Sequence, residues 1–375
     1  MRALLIAALV ATGATPALAD APQPPRVAAK AYLLFDLTSG QVLAEHEAEA
    51  SVEPASLTKL MTAYLAFRDL RDGRLAREQL VQVSAQAWRA PGSRSFLEPG
   101  SRVSVDTLLQ GMVVHSGNDA CIALAEAMAG SEALFVQRMN RAAERLGLAS
   151  TRYANATGLP HPEQRTSARD LARLAAALIE DFPQEYARYY AQKEFAHNGI
   201  AQMNRNRLLW LDPSVDGVKT GFTEGAGYCL VASSERGGRR LLTVLLGAAS
   251  DAARARESQK LLNWGYQAYD GVRLYAPGAA VKSVAVWKGA APAVSAGFAR
   301  GLVVSVPKGE ARSLAAELVT HAPVLAPVVR GDKVGVLRVA LAGEPLGEYP
   351  VEALQPVARA GWFGRAWDTL RLWFQ

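Results

Sequence analysis

Blocks of helical and strand periodicity follow one another along the chain, and their order restricts the fold that it can adopt. A hairpin pattern at 29–46 precedes a run of helical patterns, and strand patterns return at 217–250 before a helical segment at 254–269. Strands at both ends of a helical block favour one mixed sheet covered by helices, an α+β arrangement. The helices predicted within the block span 56–70, 105–112, 120–129, 132–146 and 167–179.

The pattern changes near residue 275, where Gly and Pro turns begin to separate short apolar strands. Strand patterns at 281–287, 301–306 and 333–341 predict a small β-rich domain without a catalytic cluster. The chain has 375 residues, and single hydrophobic cores stop growing at about 250 to 300 residues. We therefore predict a first domain over 20–272 and a β-rich second domain over 273–357.

Both ends of the chain have patterns of their own. Arg2 precedes an apolar run at 3–10, and small residues at 17–19 resemble a signal-peptidase site, so residues 1–19 are predicted to be a signal peptide. The run is much shorter than the ~20 apolar residues that a spanning helix needs. At the other end, a helix over 358–375 would place its tryptophans on one side and its arginines on the other. This pattern favours an amphipathic membrane-anchor helix over a helix packed on the core.

Charge and cysteine content narrow the functional classes. The net charge is +6, and removal of 1–19 takes away one Arg and no acid, which leaves 40 basic against 35 acidic residues. A basic exported protein suits an anionic surface, but the scattered arginines form no nucleic-acid-binding motif. The only cysteines are Cys121 and Cys229. An oxidising compartment permits a disulfide between them without requiring one.

A serine and a lysine open the first helical pattern at a spacing that stability does not explain. Ser56 is placed to cap the helix, but Lys59 puts a cation where a capping box has Glu or Gln and where the helix dipole disfavours it. The i, i+3 spacing brings both side chains to one face. A serine needs a neighbouring base to act as a nucleophile, and a lysine is a base only as the neutral amine. Burial and a second cation, expected to be Lys219, both favour that neutral form.

Two further motifs follow this pair in order. Ser116-Gly117-Asn118 lies between two helical patterns, and Lys219-Thr220-Gly221 lies on a predicted strand. A second Ser-x-x-Lys, Ser305 to Lys308, contains a proline in a strand-like setting, which sends its side chains to opposite faces. The ordered set of Ser-x-x-Lys, Ser-x-Asn and Lys-Thr-Gly is the signature of serine acyl-transfer enzymes, including penicillin-binding proteins and class A β-lactamases.

The chemistry of acyl transfer gives each residue a predicted role. Ser56 is expected to attack, Lys59 to take its proton, and Ser116 to relay a proton to the leaving amine. Asn118 would orient the substrate amide. The oxyanion would lie between the backbone N–H group of the nucleophile and that of Phe222.

The strand motif is expected to hold the substrate's carboxylate. Lys219 and Thr220 would bind this group, and Gly221, which lacks a Cβ, lets the substrate backbone approach the strand closely.

The chain resembles the low-molecular-mass penicillin-binding proteins that act as D-alanyl-D-alanine carboxypeptidases. The resemblance extends over nearly the whole chain after the signal peptide, and includes PASLTKLMTAYLAF, HSGNDACIALAEAMAGSE and VDGVKTGFTEGAGYCLVAS. It implies a serine peptidase that removes the terminal D-alanine from peptidoglycan pentapeptide stems through an acyl-enzyme, and that is acylated by penicillins and other β-lactams. It also implies a catalytic domain, a β-rich stalk and a C-terminal anchor at the periplasmic face of the inner membrane, with no metal or cofactor.

The same resemblance assigns roles outside the three motifs. Arg254 matches an arginine that helps bind the terminal carboxylate, and Arg205 lines the approach to the site; the alternative for both is a solvated or structural arginine. Cys121 resembles a buried, inert family cysteine. Phe222 and Cys229 occupy positions that are often polar in relatives, which leaves substrate preference open.

Several alternatives compete with the carboxypeptidase. A D,D-endopeptidase would use the same residues, and a non-catalytic wall-binding protein would keep the fold. A class A β-lactamase lacks support because the region of its deacylation motif reads TSARDLARLAAALI. A Ser-His pair at His115 and Ser116 has no accompanying G-x-S-x-G elbow, and His46-Glu47 lacks the second histidine of a zinc motif.

Overall fold

The computed structural model describes residues 22–320 and 323–362 of the chain. They divide into two compact units between Gln267 and Ala268, a few residues before the division after 272 that the sequence pattern predicts. The predicted signal peptide and most of the predicted anchor, residues 363–375, lie outside the described residues. No helix in the described ranges is long and apolar enough to cross a membrane.

The first unit alternates sheet strands with helices as the periodicity predicts. Its strands are β1 Ala31–Asp36, β2 Gln41–His46, β3 Leu80–Gln82, β4 Arg102–Ser104, β5 Glu194–His197, β6 Ile200–Met203, β7 Val215–Thr223, β8 Gly227–Arg236 and β9 Arg239–Ala248. Its helices are α1 Lys59–Arg71, α2 Ala85–Trp88, α3 Val105–Val114, α4 Asn118–Ala129, α5 Glu132–Arg145, α6 Ala168–Asp181, α7 Pro183–Tyr189, α8 Leu208–Leu211 and α9 Asp251–Ala268.

A five-stranded antiparallel sheet in the order β2-β1-β9-β8-β7 forms the centre of this unit. Residues 241–246 of β9 are all buried, as expected for a strand covered on both faces. Among the described strands, β7 is the last of the sheet and pairs with β8 alone. One of its long edges is therefore open, and this edge carries the Lys-Thr-Gly motif.

Helices cover both faces of the sheet. On one face α6 presents Leu171, Leu174 and Leu178, a buried stripe at helical spacing, to β1 and β9. The other face packs against Leu261 and Leu262 of α9. The predicted α+β class is confirmed.

The second unit is β-rich, as the sequence predicts. Its strands are β10 Tyr269–Tyr275, β11 Ala280–Trp287, β12 Ala293–Gly297, β13 Leu302–Pro307, β14 Leu314–Thr320, β15 Val324–Leu325, β16 Lys333–Leu341 and β17 Glu344–Ala353. Valines dominate its separate core. The second Ser-x-x-Lys is confirmed as unsuited to catalysis, because Ser305 is buried in β13 whereas Lys308 is exposed beyond its end.

The C-terminal edge of this unit differs from the predicted anchor in one respect. Residues 358–360 are extended, and the amides of Ala290 and Ala360 bond the carbonyls of Ala358 and Lys288. The first residues of 358–375 therefore belong to the β-pairing of the second unit and not to a helix.

Candidate active site

Ser56 lies in a tight turn that precedes α1. The sequence predicts an α-helix from Ser56, but the structure has a 3₁₀ turn over Ala55–Thr58, and the α-helix begins at Lys59. The reason is Ala55, whose φ of 48° lies in the left-handed region and breaks the helical path. In a 3₁₀ turn, side chains at i and i+3 eclipse each other. Ser56 and Lys59 therefore meet on one face, as predicted, by a different local geometry.

Two close backbone approaches hold this turn. A Cβ on Gly158, whose φ is +89°, would lie 1.8 Å from the Ala55 carbonyl oxygen. On the other side, a Cβ on Gly221 would lie 3.2 Å from the Ala55 Cβ and 3.3 Å from the Pro54 carbonyl oxygen. A left-handed non-glycine residue persists only where its surroundings over-determine it. The packing on both sides of Ala55 supplies that constraint next to the serine.

Lys59 is 1% exposed and donates three hydrogen bonds. Its Nζ lies 3.1 Å from the Ser56 Oγ, 2.7 Å from the Asn118 Oδ1 and 2.7 Å from the Thr157 carbonyl oxygen. The pKa of Lys59 is lowered to about 8, mainly by burial and to a smaller extent by the charge of Arg205. A neutral amine keeps two N–H donors for the two shorter bonds, and its lone pair is then available to the Ser56 hydroxyl.

The Ser-Gly-Asn motif joins α3 to α4. Ser116 has a φ of 68° and is 3% exposed, and its hydroxyl has no hydrogen-bond partner among the described residues. Buried hydroxyl groups without a partner are uncommon in native structures and point to function. Asn118 begins α4, accepts from Lys59, and donates from Nδ2 to the Pro91 carbonyl oxygen at 2.6 Å. The amide is therefore fixed from both ends.

Lys219 lies on β7 and is 3% exposed. Its Nζ donates to the Thr220 carbonyl oxygen at 3.0 Å. Burial, followed by the charge of Lys59, lowers the pKa of Lys219 well below its usual value. The sequence prediction named Lys219 as the cation that keeps Lys59 neutral, whereas in the structure burial is the largest cause and the cation that lowers the pKa of Lys59 is Arg205.

Arg254 approaches the same strand from α9. It is 5% exposed, and its Nη1 donates to the Gly221 carbonyl oxygen at 3.1 Å. Its Nη2 lies 3.5 Å from the carbonyl oxygen of Arg205, whose own side chain is exposed at the rim. The two arginines therefore differ, since Arg254 is fixed by several contacts and Arg205 faces solvent.

One cleft of about 760 Å³ brings the predicted residues together. The buried Lys59 and Lys219 are not among its lining residues, but Lys59 bonds Ser56 and Lys219 precedes Thr220 in β7. The predicted residues that line it are Ser56, Ser116, Asn118, Arg205, Thr220, Gly221, Phe222 and Arg254.

Two features of the cleft were not predicted from the sequence. The Thr157 carbonyl and Gly158 belong to a turn whose N–H groups bond the Asn155 Oδ1 at 3.2 and 2.7 Å. The letters Asn-Ala-Thr-Gly at 155–158 are typical of a turn, but they do not show where it packs. Asp251 forms ion pairs with both Arg254 and Arg207. The i, i+3 spacing of Asp251 and Arg254 on one helix could have predicted the first of these ion pairs.

Among the described residues, Cys121, Cys229 and His115 lie near the site but form no hydrogen bond to Ser56 or Lys59. Cys121 is fully buried, and burial raises the pKa of its thiol to about 11. Burial also raises the pKa of Cys229, and both cysteines are free thiols. His115 ends α3, and its Nδ1 makes no hydrogen bond within the described residues. A Ser116–His115 pair is therefore not formed.

Comparison with known proteins agrees with this geometry. A family model described as D-alanyl-D-alanine carboxypeptidase matches residues 18–250, and one described as the C-terminal domain of penicillin-binding protein 5 matches 269–359. The chain is 42% identical over 360 residues to the D-alanyl-D-alanine carboxypeptidase DacC of Escherichia coli, covering 94% of this chain and 90% of that protein. The chain belongs to the D-alanyl-D-alanine carboxypeptidase family. The predicted family is confirmed.

Solved structures extend the comparison. Penicillin-binding protein 5 from Haemophilus influenzae superposes with a TM-score of 0.84 at 34% identity, covering 90% of this chain and all of that one. Penicillin-binding protein D2 from Listeria monocytogenes, in its ampicillin-bound form, has a TM-score of 0.60 at 30% identity and matches 65% of this chain. The predicted combination of a penicillin-binding catalytic domain and a β-rich C-terminal domain is confirmed.

The packing around Ala55 generates a stability prediction. We expect Gly158→Ala to lower the free energy of unfolding by more than the ~1 kcal/mol that a left-handed alanine costs, because its Cβ would also overlap the Ala55 carbonyl. Gly130→Ala is the matched control, since Gly130 has a φ of +80° and no atom within 4 Å of its Cβ position. Urea unfolding of both variants measures the difference. Equal losses would contradict the close-packed turn.

Proposed function

We propose that this chain is an exported serine-type D-Ala-D-Ala carboxypeptidase acting on peptidoglycan stem peptides through an acyl-enzyme on Ser56. The observation that carries the proposal is the position of the Lys59 Nζ, 3.1 Å from the Ser56 Oγ and bonded to Asn118. A buried lysine whose pKa is lowered to about 8 is neutral in about a tenth of the molecules at pH 7, far more than for an ordinary lysine. Family membership supports the same reaction.

Substrate binding follows from the charges of the cleft. The terminal carboxylate of the stem peptide meets Lys219, Thr220 and Arg254, and an anion beside Lys219 offsets the cost of burying its ammonium form. Arg205 at the rim adds positive charge on the approach. The carbonyl of the penultimate D-alanine then lies between the backbone N–H groups of Ser56 and Phe222, which stabilise the developing oxyanion.

Acylation moves the Ser56 proton to the leaving amine and replaces the C–N bond of the peptide with the C–O bond of an ester. The Ser56 oxygen attacks the carbonyl carbon while its proton passes to the neutral Lys59 amine. The tetrahedral intermediate collapses as the C–N bond breaks, and the leaving amine takes a proton that Ser116 relays from Lys59. Free D-alanine departs, and the shortened peptide remains as an ester on Ser56.

Deacylation repeats these steps with water as the nucleophile. Water adds to the ester carbonyl, loses a proton to the basic lysine, and the regenerated Ser56 hydroxyl leaves. A penicillin enters the same sequence because its strained amide presents a carbonyl to Ser56 and its adjoining ring carries a carboxylate. Its leaving amine stays attached through the opened ring and keeps part of the site occupied.

Removal of the nucleophile tests the reaction directly. We expect Ser56→Ala to abolish D-alanine release from a peptide ending in D-Ala-D-Ala and to abolish covalent labelling by penicillin, because it removes the hydroxyl that bonds the Lys59 Nζ. Chromatography of the released amino acid and intact-mass spectrometry measure the two effects. Ser305→Ala is the control and should change neither.

The outcome also separates the competing functions. Penicillin labelling at Ser56 without D-alanine release from the peptide would favour a D,D-endopeptidase or a wall-binding protein. Labelling that persists in Ser56→Ala would refute the assignment of the nucleophile.

The pKa of Lys59 gives the reaction a defined pH dependence. Below about 8 the amine is protonated and has no lone pair for the Ser56 proton, so we expect the second-order rate of penicillin acylation to fall as the pH falls through that value. Stopped-flow acylation at constant ionic strength gives the profile. A rate that is independent of pH on both sides of 8 would show that Lys59 is not the base. Lys59→Arg, which keeps the charge but stays protonated, should be inactive at every pH.

The location of the enzyme rests on the two chain ends. We propose export by residues 1–19 to the periplasm and peripheral attachment by the aromatic and arginine-rich residues after 361. Trp362, the last described residue, is 69% exposed. Arg365 and Arg371 lie in the remaining segment and favour anionic lipid headgroups.

Deletion of 363–375 tests the anchor without cutting the β-pairing at 358–360. We expect the shortened protein to lose binding to anionic vesicles in flotation assays while keeping its rate of D-alanine release, because the described lining of the cleft runs from Ser56 to Arg254 and is left intact by the deletion. Binding of the full chain should weaken at high salt, which screens the arginines. Unchanged flotation of the shortened protein would refute the anchor.

A further inference from the structure

Glu53 connects the two segments that contain the proposed oxyanion donors. It stands three residues before Ser56, and its Oε2 accepts a hydrogen bond of 3.0 Å from the Thr223 hydroxyl. Thr223 directly follows Phe222 and ends β7. The two donors therefore lie within three residues of the two partners of one hydrogen bond, although 170 positions separate these partners in the sequence.

The Thr223 side chain also orders the turn between β7 and β8. Its hydroxyl accepts from the backbone amide of Ala226 at 3.0 Å while it donates to Glu53. The hydroxyl is thereby fixed by two partners. A movement of Glu53 would be transmitted to the turn that follows Phe222.

The turn backbone packs directly on the Glu53 carboxylate. A Cβ on Gly225 would lie 2.4 Å from Oε1 and 2.8 Å from the carboxylate carbon of Glu53. In the described part of the chain the carboxylate forms no ion pair. The carboxylate of Glu53 therefore contacts the Thr223 hydroxyl and the backbone of the turn at Gly225. These contacts suit a side chain that fixes the distance between two segments.

Contacts outside the sheet link β7 to the Ser56 turn. On its open side the strand meets the Ser56 turn at Gly221, where the nearest atoms belong to Ala55, Leu57 and Pro54. Phe222 itself is 49% exposed. The pairing of β7 with β8 holds the Phe222 backbone within the sheet, while packing at Gly221 and the hydrogen bond from Thr223 to Glu53 tie the same backbone to the Ser56 turn.

We infer that Glu53 is a positioning residue that fixes the separation between the backbone N–H groups of Ser56 and Phe222. The inference rests on the proposed function, because it assumes that these groups receive the oxyanion. The Glu53 carboxylate contacts the Thr223 hydroxyl and the turn at Gly225, so it acts through the two segments.

The expected effect falls on the transition state more than on substrate binding. The carboxylate of the substrate meets Lys219 and Arg254, whose contacts do not include Glu53. Loss of an oxyanion donor costs about 100-fold to 1,000-fold in kcat, and a displaced donor should cost less. We expect Glu53→Ala to lower kcat by about tenfold to a hundredfold with KM changed by less than about threefold.

A peptide boronic acid gives a readout that a purely structural role would not move. The Ser56 oxygen adds to boron, and one boronate oxygen takes the position of the oxyanion. Affinity for this adduct should fall in Glu53→Ala by the same factor as kcat. Affinity for the uncleaved peptide, measured in the Ser56→Ala background, should not change.

Matched variants keep the test decisive if Glu53→Ala folds poorly. Glu53→Gln retains an acceptor oxygen and the side-chain volume, so it should recover most of kcat. Thr223→Ser should resemble the wild type, and Thr223→Val should show the fall in kcat expected for Glu53→Ala. Combining Glu53→Ala with Thr223→Val should cost less than the sum of the two single effects, because both remove the Thr223–Glu53 hydrogen bond, and Thr223→Val also removes the bond from the Ala226 amide. Glu49→Ala removes an exposed carboxylate four residues earlier and is the control.

The outcomes separate this inference from the proposed function. A wild-type protein that releases no D-alanine overturns the carboxypeptidase, and penicillin acylation of Ser56 then replaces kcat as the measurement for Glu53. Equal kcat in Glu53→Ala and the wild type overturns the inference, as does a loss confined to KM. Additive effects of the Glu53 and Thr223 substitutions would also overturn it.

Discussion

The burial of one amine sets the chemistry of the cleft and much of the structure around it. The Lys59 side chain lies in a core in which its neighbours Leu60 and Met61 are fully buried. In such surroundings an ammonium group without hydrogen-bond partners would cost several kcal/mol. The bonds to Asn118 and to the Thr157 carbonyl offset this cost. Because both partners are also site elements, the contacts that make the buried lysine tolerable are the contacts that assemble the site.

The strained turn before α1 separates the serine from this buried lysine. A straight continuation of the helix would place Ser56 on a regular first turn, whereas the left-handed Ala55 introduces a tight 3₁₀ entry. The serine is then directed at the cleft while Lys59 remains inside. Gly158 and Gly221 approach this turn from opposite sides. Rigid packing of the nucleophile is what a preorganised acyl-transfer site needs, since small displacements are costly to catalysis.

The sequence predicts most of the fold and the members of the site, but not how they are held. Periodicity identified α6 and the strands β7 to β9, because each buries a regular stripe or a continuous apolar run. The i, i+3 spacing correctly paired Ser56 with Lys59. Backbone partners such as the Thr157 carbonyl leave no trace in residue type. Contacts such as Glu53 with Thr223 join segments whose separation no local pattern encodes. The left-handed Ala55 is likewise imposed by tertiary packing against local propensity.

The open edge of β7 connects these features to the form of the substrate. An unpaired strand edge is a liability in most proteins, because it offers hydrogen-bonding groups to any extended chain. Here Thr220, Gly221 and Phe222 line the cleft with that edge, beside the serine and below two arginines. An extended peptide can pair with the edge through its own main chain while its terminal carboxylate meets the positive charge. Such pairing requires the strand to keep a fixed distance from Ser56, and the close approach of Gly221 to the Ser56 turn supplies that constraint. A bulkier residue at Gly221 would therefore separate the strand from the nucleophile before it contacted any substrate.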